Sequence, residues 1–287
     1  MSDPIEPTDT RELPIGIFDS GVGGLTVYRA LHDRLPNEHF VYLGDTARVP
    51  YGTKSLATVE RYALENSQFL AEHGIKMLVV ACNTASALAL PAIRGRIGIE
   101  VVGVIGPGGR MAIDMIRSSV PKIGVIATEA TVASNAYADS IKRASTGAQI
   151  FQAACPLFVP LAEEGWTDEP ETRSIAEKYL SPVRDFAPEA LVLGCTHYPI
   201  LKDVIQETVG KDVLLIDSGE AVAFEVAELI RSKGLANPNT ISGRRNLCDD
   251  LDHFYVTDAA ERFGRVAERF LGTKPSKLEA IELEAHS

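Results

Sequence analysis

The apolar run Leu78-Val79-Val80-Ala81 ends in Cys82-Asn83-Thr84, and a second run, Leu191-Val192-Leu193-Gly194, ends in Cys195-Thr196-His197. A continuous apolar run of this length bounded by polar residues reads as a parallel strand buried on both faces. In open α/β sheets the ligand lies outside the carboxyl ends of such strands. The echo therefore favours folds that hold two thiols, on opposite sides, around one small molecule.

The rest of the chain agrees with that demand. Strands are predicted at Pro14 to Phe18, Phe40 to Leu43, Ile75 to Ala81, Val101 to Ile105, Lys122 to Ala127, Gln149 to Ala154, Ala190 to Gly194, Val213 to Ile216 and His253 to Val256. Helices are predicted from Leu25, then at Leu56 to His73, Gly109 to Arg117, Thr131 to Ala144, Glu171 to Phe186, Ile200 to Val209, Glu220 to Lys233 and Asp258 to Leu271, followed by a charged tail. Alternating βα units give an α/β class with a doubly wound, mostly parallel sheet. Residues 1–13 read as a disordered extension. The segment Gly44 to Gly52 is too rich in Gly, Pro and polar groups to be regular, and such loops carry function. Asp-Ser-Gly also occurs twice, at Asp19-Ser20-Gly21 and Asp217-Ser218-Gly219, which adds to the suspicion of an internal duplication.

With 287 residues, 45% of them hydrophobic, the chain can bury one large or two ordinary cores. Its net charge of -11 disfavours nucleic acid and anionic membrane surfaces as partners, since both are met by basic patches. The polar start has no apolar leader and no run is long enough to span a bilayer, so a cytoplasmic protein is expected. In a reducing compartment the four cysteines are expected to be unpaired.

A lone free cysteine is most often a buried structural thiol, but two in matching strand-end settings reverse that preference. Neither Cys82 nor Cys195 lies in a CxxC pair or at zinc-ligand spacing, so no metal is expected. Cys155, before Pro156, and Cys248, among Asp249, Asp250 and Asp252, read as structural. A thiol has an unperturbed pKa of about 8.5 and needs help to act as a base. His197, two residues from Cys195, is the natural proton partner on that side. Asp19 and Ser20 can cap a helix, while Gly21, Gly23 and Gly24 let backbone N–H groups approach an anion; the spacing fits neither GxGxxG nor a P-loop, which points to a carboxylate. Glu163 and Glu164 read as a solvated turn before Gly165, and Trp166 as a packing anchor.

Together, Asp19-Ser20-Gly21-Val22-Gly23-Gly24-Leu25, Tyr51-Gly52, Ala81-Cys82-Asn83-Thr84-Ala85 and Gly194-Cys195-Thr196-His197-Tyr198-Pro199 resemble, in order, the glutamate racemases of the cofactor-independent aspartate/glutamate racemase superfamily. The resemblance covers roughly residues 14 to 272. It implies two similar doubly wound domains related by a pseudo-twofold with the active site in the cleft between them: 14–107 with 219–287, and 108–218, crossing near Gly106-Pro107-Gly108 and returning near Ser218-Gly219. It implies L- and D-glutamate as substrates, no cofactor, and catalysis by Cys82 and Cys195 with Asp19, His197 and an acid, Glu163, preferred over Glu164 as the residue directly after Pro-Leu-x. Asp19, Ser20, Tyr51, Gly52, Asn83, Thr84, Thr196 and His197 are implied to bind substrate, and the product to feed peptidoglycan. A homodimer is common in the family; the sequence neither supports nor opposes one. The rival readings are a racemase of aspartate or another amino acid, a two-domain amino-acid binding protein and a thiol oxidoreductase. Binding alone needs no twin cysteines, and a redox pair needs its sulfurs within bonding reach.

Overall fold

The computed structural model describes residues 9–241 and 243–283. Among the described residues ten strands run β1 (Ile15–Asp19), β2 (Phe40–Gly44), β3 (Met77–Val80), β4 (Glu100–Gly103), β5 (Lys122–Ala127), β6 (Gln149–Ala154), β7 (Ala190–Gly194), β8 (Leu214–Asp217), β9 (His253–Val256) and β10 (Leu278–Ala280). They form a six-stranded sheet, β10-β9-β2-β1-β3-β4, and a four-stranded one, β6-β5-β7-β8. All pairings are parallel. Every residue of β1, β2, β3 and β7 is buried, as a sheet covered by helices on both faces requires.

The order β2-β1-β3-β4 is repeated as β6-β5-β7-β8, so β3 and β7 are topological counterparts. Cys82 and Cys195 follow those two strands, and the cysteine echo is a true structural repeat. The Asp-Ser-Gly echo is not: Asp19 ends β1, whose counterpart is β5, whereas Asp217 ends β8. That second match is a coincidence of short strings. Each sheet reverses its winding direction between the first and third strands of the repeated unit, β1 and β3 in one and β5 and β7 in the other, which opens a crevice at the carboxyl ends there.

The chain leaves the first sheet through helix Ile105–Asp114 and returns through helix Ser218–Lys233, and these two helices pack on each other. The first begins four residues before its expected start at Gly109, and β4 stops at Gly103. Pro107 lies in the first turn, where its missing N–H costs nothing. Asp217 caps the second helix, accepting from Gly219 N–H at 2.7 Å.

Other departures have local causes. The expected helix Thr131 to Ala144 is two, Glu129–Ala133 and Ala136–Ala144, because Asn135 adopts a left-handed conformation (φ 57°) between them. Ile200 opens as a 3-10 turn, Tyr198–Leu201, before helix Lys202–Val209. The irregular loop after β2 contains two 3-10 turns, Thr46–Arg48 and Tyr51–Thr53. The charged tail contributes β10, a three-residue edge strand too short to be read from periodicity. Of the extension expected to be disordered, residues 1–8 lie outside the described residues, but 9–13 form a turn: Glu12 N–H donates to Asp9 O at 2.8 Å and Lys76 Nζ to Arg11 O at 2.6 Å. Glu163 and Glu164 end a helix, Phe158–Glu164, stopped by Gly165 at φ 78°. Trp166, expected as a packing anchor, is 47% exposed.

Candidate active site

β1 delivers Asp19, which is fully buried. Its Oδ2 accepts from Gly21 N–H at 2.9 Å, while Oδ1 has no hydrogen-bond partner. Burial pushes its carboxyl above the usual carboxylate range, and His197 opposes that. The glycine loop that follows needs its glycines: a Cβ on Gly23 would stand 2.3 Å from Thr196 Oγ1 and 2.5 Å from the His197 ring. The loop after β1 is thus seated directly on the turn after β7, bringing the two sheets' strand ends together. Thr26 Oγ1 locks the contact by donating to Thr196 O at 2.9 Å.

Cys82 caps helix Asn83–Leu88, its sulfur accepting from Ala85 N–H at 3.5 Å and donating to Ser20 Oγ at 3.4 Å. Burial, then the charge of Asp19, lift this thiol to about 12 against those two hydrogen bonds, and Cys195 is close enough to add to the rise. Cys195 is likewise buried, with His197 Nδ1 at 3.9 Å from its sulfur. His197 Nε2 meets Glu163 Oε1 at 3.1 Å. Burial alone would lower the imidazolium pKa, but Cys195 and Glu163 outweigh it and raise it to about 10. Glu163 stays below the usual range despite burial, because the bond and charge of His197, then Arg262, hold its carboxylate. Glu164 is exposed to solvent.

The remaining expected residues are all in the neighbourhood, but several are already engaged. Tyr51 is buried with its hydroxyl on Asp45, so it builds the wall rather than offering a free donor. Gly52 abuts Thr128, whose Cβ would lie 2.7 Å from a Cβ placed on the glycine. Asn83 accepts from Tyr137 Oη at 2.6 Å and donates to Ser218 Oγ at 3.4 Å, bridging to the second sheet's elements. Thr84 Oγ1 lies 3.0 Å from Thr128 Oγ1 and 3.3 Å from Thr131 Oγ1. Cys155 and Cys248 lie in the same buried core cluster as Cys195, both lifted to about 12, chiefly by burial, with Cys195 close enough to add to the rise at Cys155. All four cysteines are free.

A family model described as Asp/Glu/Hydantoin racemase matches residues 15–226. The chain belongs to that family. Within it the chain is an amino-acid racemase, an isomerase. It is 52% identical over 271 residues to the glutamate racemase of Geobacter metallireducens, covering 94% of this chain and 97% of that protein. The crystal structure of glutamate racemase from Francisella tularensis in complex with D-glutamate has a TM-score of 0.87 at 38% identity, covering 96% of this chain and 100% of that one. Glutamate racemase from Thermus thermophilus in complex with β-chloro-D-alanine gives 0.83 at 44% identity, covering 96% and 99%.

Two elements of this racemase's site escaped the sequence. Thr128 directly follows β5, the counterpart of the strand that Asp19 ends, so the strand-end rule that singled out the cysteines would have singled it out. Arg262, 3.2 Å from Glu163 Oε2, sits on helix Ala260–Leu271 with no local motif to mark it.

Proposed function

We propose that the chain interconverts L- and D-glutamate by two-base proton transfer at the α-carbon, Cys82 removing the proton from D-glutamate and Cys195 from L-glutamate. The observation that carries this reading is the pair of counterpart strand-end thiols, each with its own proton-handling neighbours: Asp19 and Ser20 beside Cys82, His197 and Glu163 beside Cys195. Inversion needs a base on one face and an acid on the other, so one sulfur is thiolate while the other is thiol, and turnover exchanges them. Burial that raises a thiol also makes its thiolate a strong base once formed, and the α-ammonium of an amino acid brings the positive charge that favours that form. Hydroxyls of Ser20, Thr84 and Thr196, with the amides of the glycine loop and of Gly52, supply donors for the carboxylates and the developing carbanion. The thiols do the proton transfer themselves, and no cofactor is required.

We take the two sheets to mark two domains, 14–107 with 219–287 and 108–218. Four free cysteines fit a reducing, cytoplasmic location, where D-glutamate would supply peptidoglycan synthesis. Among the described residues no helix is long and apolar enough to cross a membrane.

The test is to incubate the protein with L-glutamate in deuterated water without added cofactor, following optical rotation and Cα label. Loss of rotation with one deuterium at Cα is the expected result. No label and no D-isomer would sink the reading.

A further inference from the structure

Glu163 divides its two oxygens between two elements: Oε1 faces His197 Nε2 at 3.1 Å, and Oε2 faces Arg262 Nη2 at 3.2 Å. The same C-terminal helix reaches Glu163 a second time, through Arg269 Nη1 to the Glu163 carbonyl at 2.6 Å, and touches His197 through Phe270, whose ring meets the imidazole edge-on at 5.9 Å and 87°. Helix Ala260–Leu271 follows β9 of the first sheet, whereas Glu163 and His197 belong to segments of the second. The helix is therefore a brace laid across from one sheet's elements to the other's.

We infer that Arg262 is a positioning residue: by holding Glu163 Oε2 it turns Oε1 onto His197, and so fixes the imidazole beside Cys195. This rests on the reading of Cys195 as a proton-transfer group. A carboxylate held by one oxygen alone rotates, and Glu163, partly open to water, would be free to turn away without Arg262. The groups facing His197 among the described residues are Cys195 from its own turn, Asp19 from the end of β1, Glu163 from helix Phe158–Glu164, and behind Glu163 the cations Arg262 and Arg269. Phe270 adds no charge. Removing Arg262 has opposite consequences according to its role. If it acted only as a distant positive charge, its loss would let His197 hold its proton more tightly. If it positions Glu163, its loss frees the carboxylate, and His197 loses the partner that keeps its proton in place.

The experiment titrates His197 by NMR in the full chain, in the parent, Arg262→Leu and Arg262→Lys. Arg265→Leu is the control, since Arg265 pairs with Glu261 on the same helix and removes the same charge. The expected result is a downward displacement of the His197 titration in Arg262→Leu, restoration in Arg262→Lys, and no change in Arg265→Leu. Alongside, kcat/KM should fall about two- to fivefold in Arg262→Leu, the range a partly exposed ion pair commands, with the pH profile displaced rather than merely scaled. A His197 titration that stays put or moves upward in a folded Arg262→Leu protein overturns the positioning role. The titration needs no turnover, so a parent that fails to racemise glutamate defeats the proposed reaction and leaves this result readable by itself.

Discussion

The Nδ1 of His197 stands 3.9 Å from the sulfur of Cys195, whereas the side-chain partner of Cys82 is a hydroxyl, Ser20 Oγ at 3.4 Å. Counterpart strands deliver the two thiols, yet their surroundings differ in kind. One has a titratable relay, His197 to Glu163 to Arg262; the other has a fully buried carboxylate, Asp19, with one oxygen unpartnered. A symmetric backbone frame thus carries chemically unequal halves, and each inequality has a measurable consequence.

The four cysteines should separate cleanly. Cys82→Ala or Cys195→Ala should abolish racemisation, with circular dichroism unchanged, since deleting one sulfur at these sites costs on the order of 1 kcal/mol of stability. Cys155→Ala and Cys248→Ala should keep turnover within a few fold. Two hydrogen bonds at these positions use backbone atoms that alanine preserves, the Cys155 carbonyl accepting from Tyr198 Oη at 2.9 Å and the Cys248 amide donating to Tyr28 Oη at 2.7 Å. A collapse of rate in either of the last two would mean that the wrong pair has been assigned.

The doubled acid at Glu163-Glu164 gives a neighbouring-residue contrast. Glu163→Gln keeps the shape but loses the charge that holds the His197 imidazolium, and should lower kcat/KM by about tenfold or more. Glu164→Gln alters a solvated side chain and should be silent. Equal losses from the two substitutions would remove Glu163 from the relay.

Much of the fold is legible in the sequence. β5, β6, β7 and β9 fall where apolar runs place them, and Cys82 and Cys195 are found by the rule that ligands gather at the carboxyl ends of parallel strands. What was illegible is set by contacts distant in sequence. That Asn83 spends its amide on Tyr137 and Ser218, or that Arg262 reaches Glu163 ninety-nine positions away, leaves no periodic trace. The break at Asn135 and the three-residue β10 fail for a different reason: one residue's left-handed backbone and a short edge pairing are smaller than the windows over which periodicity is read.

Stability should report the charge on His197. Its imidazolium pKa is raised in the folded protein, from 6.5 to about 10, so its contribution is fully present below pH 6.5 and is lost as pH rises through about 10. The free energy of urea unfolding of the parent should therefore fall across that interval more steeply than that of His197→Gln, by up to about 1.4 kcal/mol per pH unit. The thiols of Cys82, Cys155 and Cys248, each lifted by burial, add their own decline at high pH to both proteins and cancel in the comparison. Parallel slopes would mean that His197 is neutral in the folded state at these pH values.

The sharpest consequence of unequal halves concerns His197→Asn. In a two-base racemase each direction begins with a different thiolate, so damage beside Cys195 alters deprotonation of one enantiomer more than the other. The equilibrium between mirror-image substrates cannot move, because L- and D-glutamate have equal free energy in water. The variant must therefore lose kcat/KM equally in both directions, by about 100-fold, the lower end of what an acid–base group contributes. The asymmetry has to appear elsewhere, in the individual kcat and KM values and in the primary isotope effects measured with Cα-deuterated L- and D-glutamate. The larger change in isotope effect is expected for L-glutamate, whose proton we propose that Cys195 removes. Identical changes for the two enantiomers, or a variant that matches the parent across the pH range, would make His197 a structural residue and leave Cys195 to be activated by Thr196 and backbone amides alone.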